Sequence, residues 1–140
     1  LVEPLDEATA AEVATTLTTE GYWGPAMPLD SLHGMLTNGD PIWVAPADQV
    51  TPHLEVKHAR DEFDRASLSD AITAEIGDSS VPIGPLELQI AYKLSLGSQK
   101  DIEDAVHLYT LFAETLTSAR LEAWVQRLDV ESEYERLRQA

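Results

Sequence analysis

The chain has 140 residues, 44% of them hydrophobic, no cysteine, and a formal net charge of −16 from 25 acidic and 9 basic side chains. That apolar content builds a core rather than a disordered tail. The missing thiols exclude disulfides, thiolate nucleophiles and cysteine-bound zinc, and the acidity argues against extended duplex nucleic-acid binding. No apolar run approaches a bilayer span, no signal-peptide pattern opens the chain, and the cytoplasm is the default expectation. The acids are spread along the chain and lysine occurs only at 57, 93 and 100. This composition suits adaptation to a salt-rich cytosol, as in halophiles, better than recognition of one basic partner.

Leu1-Val2 reads as the tail of a strand that begins ahead of this sequence. Asp6 caps a helix expected to run to about Glu20, with Ala10, Val13, Ala14 and Leu17 as its apolar stripe and Gly21 as its stop. Tyr22-Trp23-Gly24-Pro25 reads as a loop. Leu29 to Leu36 suits a short helix with Leu29, Leu32, Met35 and Leu36 on one face. Ile42-Trp43-Val44 reads as a strand, Pro46 to Pro52 as a turn, and His53 to His58 as a second strand. In that strand Leu54 and Val56 share one face and Glu55 and Lys57 the other. The stretch from Asp61 to Asp70 is polar with Phe63 and Leu68 embedded. Ile72, Ala74 and Ile76 alternate as a third strand, and Val81-Pro82-Ile83 is a short extended piece after a Gly77–Ser80 turn.

From Pro85 the period becomes helical. Leu86, Ile90 and Leu94 are expected to stack on one face, with Gly97 as terminator. Ser98-Gln99-Lys100-Asp101 resembles a capping box with Asp in place of Glu. Ile102, Ala105, Val106, Leu108, Tyr109 and Phe112 form the next apolar face. Leu121 to Leu128 and Glu131 to Arg138 are two further helices. The plan is α+β: a mixed sheet of about four strands with flanking helices, in residues 1–97, and a helical C-terminal segment in residues 98–140 packed on it.

Glu55 is the carboxylate of greatest chemical interest, because a strand is a rigid mount for a metal ligand or a base. As plain structure it is one acid on a solvated strand face. The histidines at 33, 53, 58 and 107 have no zinc-site spacing, and His53 and His58 point to opposite faces of a regular strand. Lys93, Lys100, Asp101 and Asp104 form a charged group around Gly97. Functionally, it is a set of lysines reaching a phosphate with carboxylates orienting them. Structurally, it is a capped helix with Lys100 and Asp104 paired at i, i+4. Trp43 and Trp124 read as core or hinge packing rather than as base-stacking platforms.

The run Val81-Pro82-Ile83-Gly84-Pro85-Leu86-Glu87-Leu88-Gln89-Ile90-Ala91-Tyr92-Lys93-Leu94, with Gly97 and Lys100-Asp101-Ile102-Glu103-Asp104 after it, resembles the second half of minimal nucleotidyltransferase-fold proteins. These include the AbiEii-type toxins of abortive-infection systems. The strand from His53 to Lys57 and the trailing Asp61-Glu62-Phe63-Asp64 are similar to that family's third-carboxylate strand and loop. Ala119 to Val130 looks like its C-terminal helical pair. The resemblance implies transfer of a nucleoside monophosphate from an NTP to a tRNA end or other RNA, or to a protein hydroxyl, with a toxin–antitoxin pair and its cognate antitoxin as one setting. It implies Mg²⁺ and NTP as cofactors, with metal-clamped attack at the α-phosphate. Glu55 is then the third metal-binding, catalytic carboxylate. Lys93 and Lys100 are phosphate contacts, oriented by Asp101 and Asp104. The family's Asp-x-Asp motif does not occur here, and it and the Gly-Ser helix start that precedes it are expected ahead of Leu1. Without them, the alternative is a catalytically inactive relative that keeps the fold as a binding module.

Overall fold

The computed structural model describes residues 1–139. It is α+β, and it divides into two compact units, Leu1–Leu68 and the residues from Ser69 onward. Each has its own core.

In the first unit, Asp6 accepts the Thr9 amide at 2.7 Å and opens α1 (Glu7–Thr19). Helix α1 buries Ala10 and Ala14. A single 3-10 turn, Leu29–Ser31, leads into α2 (Leu32–Asn38), and Leu29, Leu32 and Leu36 join the same core. Gly39, at φ 90°, ends α2 in the left-handed conformation that a side chain would resist.

Three strands follow the order β1 (Tyr22–Trp23), β2 (Ile42–Pro46), β3 (Leu54–Val56), all antiparallel. Tyr22-Trp23 is therefore a short strand and not a loop. It pairs with Pro46 and Ala45, and the Trp23 indole donates to the Gln49 carbonyl at 2.7 Å. Ile42 and Val44 point into the core. Val2 makes an isolated parallel bridge to His58, with its amide on the Lys57 carbonyl at 2.9 Å.

The polar stretch after Ala59 holds α3 (Glu62–Ser69). Asp61 accepts the Asp64 amide at 2.7 Å, and Asp64 accepts the Arg60 amide at 3.1 Å. Asp61 thus caps the helix as in a capping box, but Asp64 reaches back one residue further, to the amide ahead of the cap.

The second unit starts with a ribbon, β4 (Ile72–Ile76) and β5 (Ser79–Ile83), closed by Gly77-Asp78 and paired only with each other. The expected single mixed sheet of about four strands is thus replaced by two antiparallel sheets of three and two strands. The reason is local: a two-residue turn closes the hairpin at small entropic cost, so these strands satisfy one another.

Four helices complete the unit: α4 (Leu86–Leu96), α5 (Gln99–Leu111), α6 (Ser118–Arg127) and α7 (Glu131–Gln139). Their core is Ile90, Ala91, Leu94, Ala105, Leu121, Val125, Val130, Tyr134 and Leu137. The expected division after residue 97 separates α4 from α5, yet α4 supplies Ile90, Ala91 and Leu94 to the core that α5, α6 and α7 share. The buried face of α4 is also rotated from expectation. Glu87, Leu88, Ile90, Ala91 and Leu94 are buried, while Leu86 is only half-buried.

Candidate functional site

Strand β3 pairs with β2 in the register Ile42–Val56, Trp43–Glu55 and Val44–Leu54. Because successive side chains alternate, Ile42, Val44 and Val56 turn to the core while Trp43 and Glu55 share the outer face. Leu54 shares the face of Val56, yet it is 67% exposed although its register partner Val44 is buried.

Glu55 is exposed, and its side chain makes no hydrogen bond or ion pair among the described residues. Directly across from it, Trp43 stacks on His53 with ring centroids 4.3 Å apart and planes 19° from parallel. Trp43 is 37% exposed, so the expectation of core or hinge packing is corrected: on the outward side of the pleat its ring has no core to enter. His53 Nδ1 lies 3.1 Å from the Val50 carbonyl, to which it donates when it carries the proton.

The charged group around Gly97 assembles differently from its sequence spacing. Gly97, at φ 69°, ends α4, and Ser98 caps α5. The Ser98 hydroxyl accepts the Asp101 amide at 3.2 Å and donates to the Asp101 carboxylate at 2.5 Å. The shorter Asp side chain thus reaches the hydroxyl instead of the backbone amide that a Glu in a capping box would reach.

Lys93 places its ammonium 2.7 Å from Asp104 and 3.6 Å from Asp101. The expected Lys100–Asp104 pair does not form at contact distance. Helix α4 crosses α5 so that Lys93 takes the Asp104 carboxylate, and Lys100 acts on it only through a longer-range Coulombic pull. The hydrogen bond from Lys93 holds the Asp104 carboxyl below its ordinary range. The same bond holds the Lys93 ammonium above the ordinary lysine value, against a smaller opposing effect of burial.

Glu55 lies in the first unit, and Lys93, Lys100, Asp101 and Asp104 lie in the second. Within its unit each group is defined: Lys93 meets both Asp101 and Asp104, and Glu55 stands across from Trp43, which stacks on His53. His58 faces away from that stack and accepts the Leu5 amide on Nε2 at 3.2 Å.

Magnesium prefers an octahedron of oxygens, commonly several carboxylates and waters. Among the described residues, no group of three or more His, Asp or Glu side chains is placed to hold a metal. Glu55 alone offers one carboxylate, so the residues present do not themselves make a magnesium site.

Glu87 is a buried structural carboxylate that its sequence neighbours do not single out. It is 8% exposed, and it accepts the Thr117 amide at 2.8 Å, at the N-cap position of α6. No local signal links the two positions, which are 30 residues apart. Among the described residues, no helix is long and apolar enough to cross a membrane. No protein-family model, no curated protein and no solved structure matches this chain.

Proposed function

We propose that this chain belongs to a nucleotidyltransferase-like protein that moves a nucleoside monophosphate from an NTP to an RNA or protein hydroxyl. The observation that carries the reading is Glu55, an exposed carboxylate with no internal partner, mounted mid-strand on the outer face of a sheet. A structural acid usually acquires a donor or a cation, as Glu87 and Asp104 do here. Glu55 is held rigidly and left open, which is the condition of a group that meets a substrate.

In the proposed reaction the Glu55 carboxylate accepts a hydrogen bond from the acceptor hydroxyl and takes its proton. The hydroxyl oxygen attacks the α-phosphorus, the bond to the bridging oxygen breaks, and pyrophosphate leaves. In the second unit, Lys100 carries no ion pair at contact distance among the described residues and is open to an anion in its own right, apart from the step at Glu55. Lys93 is engaged by two carboxylates, so its first role is to hold α4 to α5. The setting proposed is cytoplasmic, with a toxin–antitoxin pair as the biological context.

The absence of carboxylate companions around Glu55 among the described residues favours a second reading: a nucleotidyltransferase-fold module that binds a partner without catalysis. The experiment that separates the two is label transfer from α-labelled NTPs in magnesium buffer to RNA and protein acceptors. It uses the protein with any residues its gene encodes ahead of Leu1. Transfer abolished by Glu55→Gln supports the enzyme. Absence of transfer, with all four NTPs and both acceptor classes, leaves the binding module.

A further inference from the structure

Trp43, His53 and Glu55 gather on one side of the sheet of the first unit. His53 and Lys57 flank β3 two residues before and two after Glu55, and continuing the period of the strand by one residue at each end would put both on the side of Glu55. Trp43 completes the row from the neighbouring strand, opposite Glu55. Its ring lies nearly parallel to the His53 ring at 4.3 Å and keeps 37% of its surface in solvent. The two rings lie face to face, so the stack is assembled without ligand and a further ring can add only to one of its outer faces.

Two comparisons within the chain indicate a surface that meets a ligand. The Trp23 indole is tied to the Gln49 carbonyl, whereas the Trp43 indole N–H makes no hydrogen bond among the described residues. Lys93 is engaged by two carboxylates, whereas Lys57 has no ion pair among the described residues. The row thus offers a stacking face, an open N–H donor, an acceptor-only carboxylate and an open cation.

We propose that the Trp43–His53 stack is the platform for the nucleobase of a bound nucleotide, with the ribose beside Glu55 and a phosphate toward Lys57. This assignment rests on the nucleotidyl-transfer reading and names the subsite that reading lacks. A nucleotide is the occupant whose parts match the row: a planar ring for the stack, hydroxyls for the carboxylate, an anion for the ammonium. A cationic amine would use Trp43 and Glu55 but be repelled by Lys57. An aromatic peptide side chain would use the stack and leave both charges idle. Because every base has a π-face, the platform discriminates weakly among bases and favours purines through their larger area.

Calorimetric titration tests this with AMP, GMP, CMP and UMP, with adenosine and guanosine, and with ribose 5-phosphate. Expected are binding of nucleotides and nucleosides with purines ahead, weakening of roughly tenfold or more in Trp43→Ala, and retention of most affinity in Trp43→Phe. Lys57→Met should weaken nucleotides but not nucleosides. Should Trp43→Ala fail to fold, Trp43→Leu keeps apolar bulk without the π-face and reads the same loss.

Nucleotide affinity unchanged in a folded Trp43→Ala protein would overturn the platform, as would ribose 5-phosphate binding as tightly as the nucleotides. Wild-type protein that binds neither nucleotide nor nucleoside overturns it too. Label transfer is measured separately, so a protein that transfers label yet ignores Trp43→Ala would sink the platform and leave the transferase reading standing.

Discussion

In the residues from Ser69 onward the charged side chains near the helix junctions face one another. Lys93 bridges Asp101 and Asp104, Ser98 takes up Asp101, and Glu87 receives the Thr117 amide. In Leu1–Leu68 the sheet face carries a carboxylate and a stacked tryptophan, with Lys57 just past the strand, and none of the three has a polar partner among the described residues. The two units use the same residue types for opposite ends. Paired charges fix helices to each other, and unpaired charges on a rigid strand are free to meet a ligand. The most conspicuous charged cluster in the sequence is therefore the one the structure already satisfies.

The comparison can be broken most severely through the cores. Leu32 in the first unit and Leu121 in the second are both fully buried. Leu32→Ala and Leu121→Ala should each cost about 3 kcal/mol, because the surroundings relax only partly around the lost methyl groups. Amide exchange should rise first in the unit that carries the substitution. A next, smaller effect tests whether Glu87 is structural. Glu87→Ala leaves the Thr117 amide without its acceptor and should cost about 1–3 kcal/mol in denaturant unfolding. Glu87→Gln keeps an acceptor oxygen and should cost less. Equal losses in the two variants would mean that the hydrogen bond is not what matters there.

A gentler test uses pH on the Lys93–Asp104 pair. Its Asp104 half has a folded pKa below the ordinary 3.8, so that stabilisation is complete above 3.8 and is lost as pH falls through the lower folded value. The Lys93 half has a folded pKa above the ordinary 10.5, so it is complete below 10.5 and is lost as pH rises through the higher folded value. The difference in melting temperature between wild type and Asp104→Asn should be small, constant across neutral pH and vanishing in acid. A difference that persists at the acid end would show that Asp104 acts by something other than its charge.

What could be read in the sequence was what is decided locally. Asp6, Gly21, Gly97 and Ser98 mark helix ends with side chains and backbone angles a few residues away, and the structure places those ends accordingly. Helix α3 carried the same kind of signal in Asp61 and Asp64, which was hidden by the polarity of the stretch. Strand β1 gave no such signal, because two residues become a strand only through pairing with Ala45 and Pro46.

The site divides in the same way. The alternation around Glu55 shows which side of its strand it occupies. That Trp43 faces it depends on the β2–β3 register, and that Lys93 takes Asp104 depends on how two helices cross. Neither is written in local spacing, and an i, i+4 rule applied to Lys100 and Asp104 points to the wrong partner.

The central claim is that the chemistry resides on the sheet face at Glu55 and that the paired cluster at Lys93 is structural. Label transfer from an α-labelled NTP, measured in parallel on wild type, Glu55→Gln and Asp104→Asn, tests it most directly. Transfer should be lost in Glu55→Gln with melting unchanged, since an exposed, unpartnered acid contributes little to stability, and should persist in Asp104→Asn below its melting range. Transfer that survives Glu55→Gln but disappears in a folded Asp104→Asn protein would contradict the account.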